Sequence, residues 1–105
     1  MGFQQIQAPT LRELFVDQVI GMIFSGELKV GDRLPSEREL SEQMHISRSM
    51  VHTGLEDLER MGFVRMEPRR GNYIEDYARH GNFETLMALR KYGGQFDHAI
   101  ESSLV

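Results

Sequence analysis

The sequence predicts an α+β fold, mainly α, in which three helices lead into a short β-hairpin and further helices follow. Two capping-box signatures mark helix starts, Thr10 with Glu13 and Ser36 with Glu39. In such a box the hydroxyl takes up an orphan amide and the acid three residues on reaches back. Apolar residues recur at helical spacing after each of them. Between Phe63 and Tyr77 the pattern changes to two short runs around Pro68-Arg69-Arg70-Gly71, a hairpin signal.

The first helix opens at Thr10, and its expected buried face carries Leu11, Phe15, Val19, Met22 and Ile23, with Leu14 beside them. Gly26 supplies a left-handed stop. The link "ELKVGDRLP" is too polar, and too broken by Gly31 and Pro35, to be helical; Leu28, Val30 and Leu34 are its expected anchors. The second helix is short, with Leu40 and Met44 as its buried stripe. His45-Ile46 makes a tight connection and Ser47 caps the third helix. There Val51, Leu55 and Leu58 repeat at helical spacing, which turns Arg48, Ser49, His52 and Thr53 to other faces, and Gly62 ends the helix.

Beyond Tyr77, "ARHGN" reads as a linker. "FETLMALRKY" then reads as a helix with Phe83, Leu86, Met87 and Leu89 apolar, stopped by Gly93-Gly94. Asp97 starts a last helix with Ile100 and Leu104 on one side. An apolar helix face without a partner is what a truncated protein leaves. The expected division is therefore one domain over residues 1–77, and over 78–105 a linker with the first helices of an incomplete second domain.

Composition narrows the function. The 105 residues are 40% hydrophobic and 27% charged, ordinary for a globular chain. No apolar run approaches the ~20 residues of a membrane helix, and "MGFQQIQAP" lacks the basic start and apolar core of a secretory signal. There is no cysteine, which excludes disulfides, thiolate metal sites and a thiol nucleophile and agrees with a cytoplasmic location. His45, His52, His80 and His98 lack a metal-ligand spacing. Met44, Met50, Met61, Met66 and Met87 read as core or gap filler. No nucleophile, base and orienting group come together in the motifs, so no catalysis and no cofactor are expected. The formal net charge is -4, yet residues 33–72 hold seven arginines against seven acids. The acid excess lies outside this middle part.

That middle part has the layout of a helix-turn-helix: two short helices, a tight turn, and small polar and basic groups opening the second helix. The first turn of such a helix has unpaired amides and a positive dipole end, which suits a phosphate. Its side chains can enter a major groove, where base edges are distinguishable. Arg48, Ser49 and His52 hold those places. Arg69 and Arg70, at the hairpin tip, are placed for the adjacent minor groove or its phosphates.

The segment "SGELKVGDRLPSERELSEQMHISRSMVHTGLEDLERMGFVRMEPRRGNYI" resembles the winged helix-turn-helix domain of the GntR family of bacterial transcription regulators. The match runs from about Leu11 to Ile74, and "GDRLPSERELSE", "ISRSMV" and "LERMGFV...RRGNYI" are its most specific parts. The resemblance implies a repressor or activator acting as a homodimer on two-fold double-stranded operator DNA, with a C-terminal domain that senses a metabolite. Residue by residue, it assigns Arg38 to the DNA backbone or a guanine and Arg48 to the leading contact. Ser47, Ser49 and Met50 match neighbouring contact positions, and Gly71 matches the wing glycine. "NFETLMALRKYGGQF" resembles the start of the all-helical effector domain of the FadR-like branch, whose small-molecule effector, with any metal, would be held beyond Val105. Two departures concern the operator sequence. Relatives usually have Gly where His45 stands, and commonly Arg followed by Glu-Ala where "HTG" stands.

Each of these residues also has a plainer reading. Arg48 alone would pass for a solvated surface arginine, Arg69 and Arg70 for a soluble turn, and Arg38 for a balance to Glu37 and Glu39. His52 reads equally as an exposed histidine, and Arg65 as a partner for Glu67. Two rival functions accompany them: a winged helix turned protein-interaction module, and a regulator fused to an aminotransferase-like domain.

Overall fold

The computed structural model describes residues 2, 3 and 10–91. Helix α1 (Leu11–Ser25) starts where Thr10 Oγ1 accepts the Glu13 amide at 3.1 Å and ends at Gly26, whose φ is 87°. Its buried face is Phe15, Val16, Val19, Ile20 and Ile23. Leu11 and Leu14, expected on that face, are half exposed, and Met22 is only partly covered. The helix carries apolar residues on more than one side, so spacing alone leaves the choice of stripe open. Packing makes it: α1 lies across α3 (Arg48–Arg60), with Phe15 over Gly54. A Cβ on Gly54 would come within 2.8 Å of Phe15 Cε2 and nearer still to Cδ2. The glycine that looks like a helix defect is what lets the two helices close.

Helix α2 (Glu37–Met44) is capped by Ser36, whose Oγ accepts the Glu39 amide at 3.1 Å and donates to the Glu39 carboxylate at 3.2 Å. Here the acid reaches back to the hydroxyl, a variant of the expected box. His45 ends the helix with φ 57° and ψ 42°, a left-handed cap at the position where relatives usually have Gly. The turn is tied by Ser41, whose hydroxyl donates to the Ile46 carbonyl at 2.5 Å while its own carbonyl accepts the Ile46 amide at 3.3 Å. Ser47 Oγ then accepts the Met50 amide and α3 begins.

The hairpin pairs β1 (Val64–Glu67) with β2 (Gly71–Ile74) antiparallel, Val64 opposite Ile74 and Arg65 opposite Tyr73. The link before α2 adds to it. Gly31 N–H donates to Ile74 O, Ile74 N–H to Asp32 O and Leu34 N–H to Asn72 O, at 2.8–2.9 Å. Leu34 anchors the link in the core as expected, whereas Val30 is exposed. Phe15, Phe63, Ile20, Leu55, Leu58, Ile74, Val51 and Val64 form the innermost core, and burying each such side chain stabilises by roughly 1.5–3 kcal/mol.

Across that core Asp57 clamps two arginines. Arg12 donates to both of its oxygens, at 2.5 and 2.8 Å, and Arg60 donates at 2.9 Å. The hydrogen bond from Arg12 is the main reason its carboxyl titrates below the ordinary range.

The expected linker is partly helical. α4 (Tyr77–His80) is capped by Asp76, and Tyr77 stacks against Phe24 and Phe63 with centroids 6.1 and 5.2 Å away. A fifth helix, α5, covers residues 83–91. It docks through Thr85 and Ala88, while Phe83, Leu86 and Met87 face outward. Thr85 Oγ1 donates to the Met61 carbonyl, Asn82 Nδ2 to the Arg60 carbonyl at 3.1 Å, and Arg60 Nε to Glu84 at 2.8 Å. Polar side chains do the docking, which an apolar stripe does not reveal. Gly93-Gly94 and the helix expected from Asp97 lie outside the described residues.

Candidate nucleic-acid interface

A cleft of about 550 Å³ opens between the start of α2, the start of α3 and the hairpin tip. Arg33, Arg38, Arg48, Arg69 and Arg70 line it, together with His52 and Gly71. Each is placed by a different local device. Ser36 and Ser47 cap the helices that carry Arg38 and Arg48, and the Pro68 turn carries Arg69 and Arg70. That turn is closed by Arg70 N–H to Glu67 O at 3.1 Å, with Arg69 at φ 68°.

The charge pattern around the cleft decides what it can hold. Its two lining acids are both engaged: Glu67 accepts from Arg65 at 2.8 Å, and Glu37 lies 3.0 Å from His52 Nδ1. Among the described residues Arg33, Arg48, Arg69 and Arg70 make no ion pair with a carboxylate, whereas Arg12, Arg60 and Arg65 do. Arg38 pairs with Glu42 one turn on, at 3.2 Å, but its side chain is 74% exposed. A pair that wet is worth little and opens readily. The N-terminal turn of α3 contains no acid, unlike that of α2 with Glu37 and Glu39. A phosphate therefore finds its positive dipole end at α3.

The remaining expected residues take distinct places. Ser47 and Ser49 are exposed at the head of α3. Ser47 Oγ accepts the Met50 amide, which leaves its O–H free to donate outward. The Ser49 carbonyl accepts the Thr53 hydroxyl at 3.0 Å. Met50 is half-buried on the opposite flank of α3, in a recess shared with Thr10, Arg12 and Glu13. Arg65 stays outside the cleft, paired with Glu67 and Glu75 and stacked 5.5 Å over the Tyr73 ring.

His52 differs most from its reading as an open base reader. Its hydrogen bond to Glu37, and then the charge of Glu37, raise its pKa above the ordinary histidine value of 6.5. Glu56 lies 3.9 Å from Nε2 on the other side. The ring bridges α2 to α3. Arg33 lies within "GDRLPSERELSE" yet has no role among the residues expected at the site, because it reaches the cleft through the pairing of its segment with β2. Its only signal in the sequence is a basic residue just ahead of the Ser36 cap.

Comparison with known proteins gives the arrangement a context. The profile described as bacterial regulatory proteins, gntR family, matches residues 9–74. The uncharacterized HTH-type transcriptional regulator YcbG of Bacillus subtilis (strain 168) is 31% identical over 84 residues, 80% of this chain and 36% of that protein. The HTH-type transcriptional regulator Mce2R of Mycobacterium tuberculosis (strain CDC 1551 / Oshkosh) is 28% identical over 105 residues, 100% of this chain and 44% of that protein. The chain thus spans less than half the length of these two relatives. Among solved structures, a transcriptional regulator from Oenococcus oeni superposes with a TM-score of 0.71 at 24% identity, covering 96% of this chain and 85% of that one. That likeness carries the fold.

Proposed function

Since the chain belongs to the gntR family of bacterial regulatory proteins, we propose that it is a transcriptional regulator that grips duplex operator DNA with this cleft. The observation that carries the reading is the set of four arginines kept clear of carboxylates beside an acid-free helix start. α3 enters the major groove, with Arg48 as leading reader and Ser47 and Ser49 as hydroxyl donors. The wing lays Arg69 and Arg70 along the flanking minor groove or its phosphates. Arg38 releases Glu42 to reach the backbone.

His52 acts less as a reader than as the neutraliser of Glu37, an acid that would otherwise repel the incoming phosphates. Met50 lies apart from these contacts, on the flank towards α1. A homodimer on a two-fold site, with half-sites about one helical turn apart, and repression relieved by a metabolite held in a C-terminal effector domain beyond Val105 complete the proposal. Titration of duplex DNA over a series of salt concentrations tests it. Binding that weakens steeply with salt is expected. A chain that shows no binding even at low salt would instead be a protein-interaction module.

A further inference from the structure

Arg33 sits at the cleft on a backbone held from two sides. Gly31 N–H donates to Ile74 O, Ile74 N–H to Asp32 O and Leu34 N–H to Asn72 O, so residues 31–34 are tied to β2 around a single antiparallel bridge between Arg33 and Tyr73. The side chain then reaches Gly71, at the turn end of the wing. A Cβ on Gly71 would meet Arg33 Nε at 2.6 Å, Nη2 at 3.2 Å and Cζ at 3.3 Å. Gly71 has φ 129°, and its bare α-carbon is what leaves the guanidinium its seat.

The acids that lie near are all turned elsewhere. The Asp32 carboxylate accepts the Lys29 amide at 2.9 Å, Glu67 takes Arg65, and Glu37 takes His52. The guanidinium is exposed and makes no ion pair among the described residues. It therefore keeps its five N–H donors for an anion arriving in the cleft.

We infer that Arg33 is a phosphate-contacting residue of the DNA interface, gripping the sugar-phosphate strand beside the wing, with Gly71 as the positioning residue that makes room for it. The inference rests on the DNA-binding reading above. Its guanidinium lies against Gly71, where the wing leaves its turn, and its segment is not the head of α3 that enters the major groove, which gives it a backbone role and no share in base choice. Such a contact positions the protein without specifying the sequence.

The test compares wild type, Arg33→Ala and Arg33→Lys on two duplexes, one selected from a random pool by the wild-type chain and one unselected, across a salt series. Circular dichroism checks that each variant is folded at the titration temperature; backbone amides and carbonyls do the pairing, so both are expected to be. Arg33→Ala should weaken binding to both duplexes by the same several-fold factor and make the salt slope shallower by about 1. Arg33→Lys should restore most of that slope. Wild-type affinity and slope in Arg33→Ala, or a loss confined to the selected duplex, would overturn the assignment. If the wild type binds neither duplex, the DNA-binding reading itself fails.

Discussion

Arg69 holds a left-handed backbone, φ 68°, at the second central position of the wing turn, where Gly is the unstrained choice. A side chain there costs ~1–2 kcal/mol, partly offset because Gly loses more freedom on folding. The strain places a cation at the tip. Arg69→Gly should therefore raise Tm by about 2–4 °C, on the scale of ~4–8 °C per kcal/mol for a domain this small. It should also make the salt slope of DNA binding shallower. A variant that gains Tm and loses no affinity would show that Arg69 only keeps the turn soluble. His52 gives a residue-level test by pH. Its folded pKa is raised by Glu37. The stability it adds is fully present below 6.5 and is lost as pH rises through the elevated folded value. The ring is about half exposed, so the effect is small. Wild type should melt slightly higher at pH 6 than at pH 8.5, and His52→Gln should remove that contribution. An unchanged difference in His52→Gln would mean that the α2–α3 bridge does not form in solution.

At the scale of elements, helix ends were legible in the sequence because their chemistry is local. Thr10, Ser36 and Ser47 each accept the amide three residues on, and His45 takes the left-handed cap. Helix faces were less legible. Leu11, Leu14, Val16 and Ile20 offer two overlapping stripes on α1, and only contact with α3 selects Val16 and Ile20. The sequence shows Gly54 only as a poor helix former and not as a requirement, since Phe15 lies far from it in sequence. Replacing it measures the two effects against each other. Ala gains ~1 kcal/mol of helix propensity, but overpacking against the buried Phe15 ring costs ~1–3 kcal/mol. Gly54→Ala should lower Tm, and Phe15→Leu should make the Ala less costly. A rise in Tm would mean that α1 shifts freely away from α3. Arg33 was illegible for a related reason, since its place at the wing exists only once the link pairs with β2.

For the whole molecule, the net charge of -4 is no objection to DNA binding, since residues 33–72 are balanced and the acids facing the cleft are paired. Thr85 and Glu84 of α5, with Asn82 just ahead of it, dock on the end of α3. In the proposed complex Arg48 meets a base edge, while Arg33, Arg38, Arg69 and Arg70 of the same cleft meet DNA phosphates. Log K for a duplex, followed against log salt, tests it most directly. If each of these last four neutralises one phosphate, the slope should be about -3.6 for one protomer. Arg48→Ala should weaken binding to a selected sequence by about 1–3 kcal/mol and erase the preference for it. A slope near zero, or an Arg48→Ala chain that binds and discriminates like the wild type, would contradict the account.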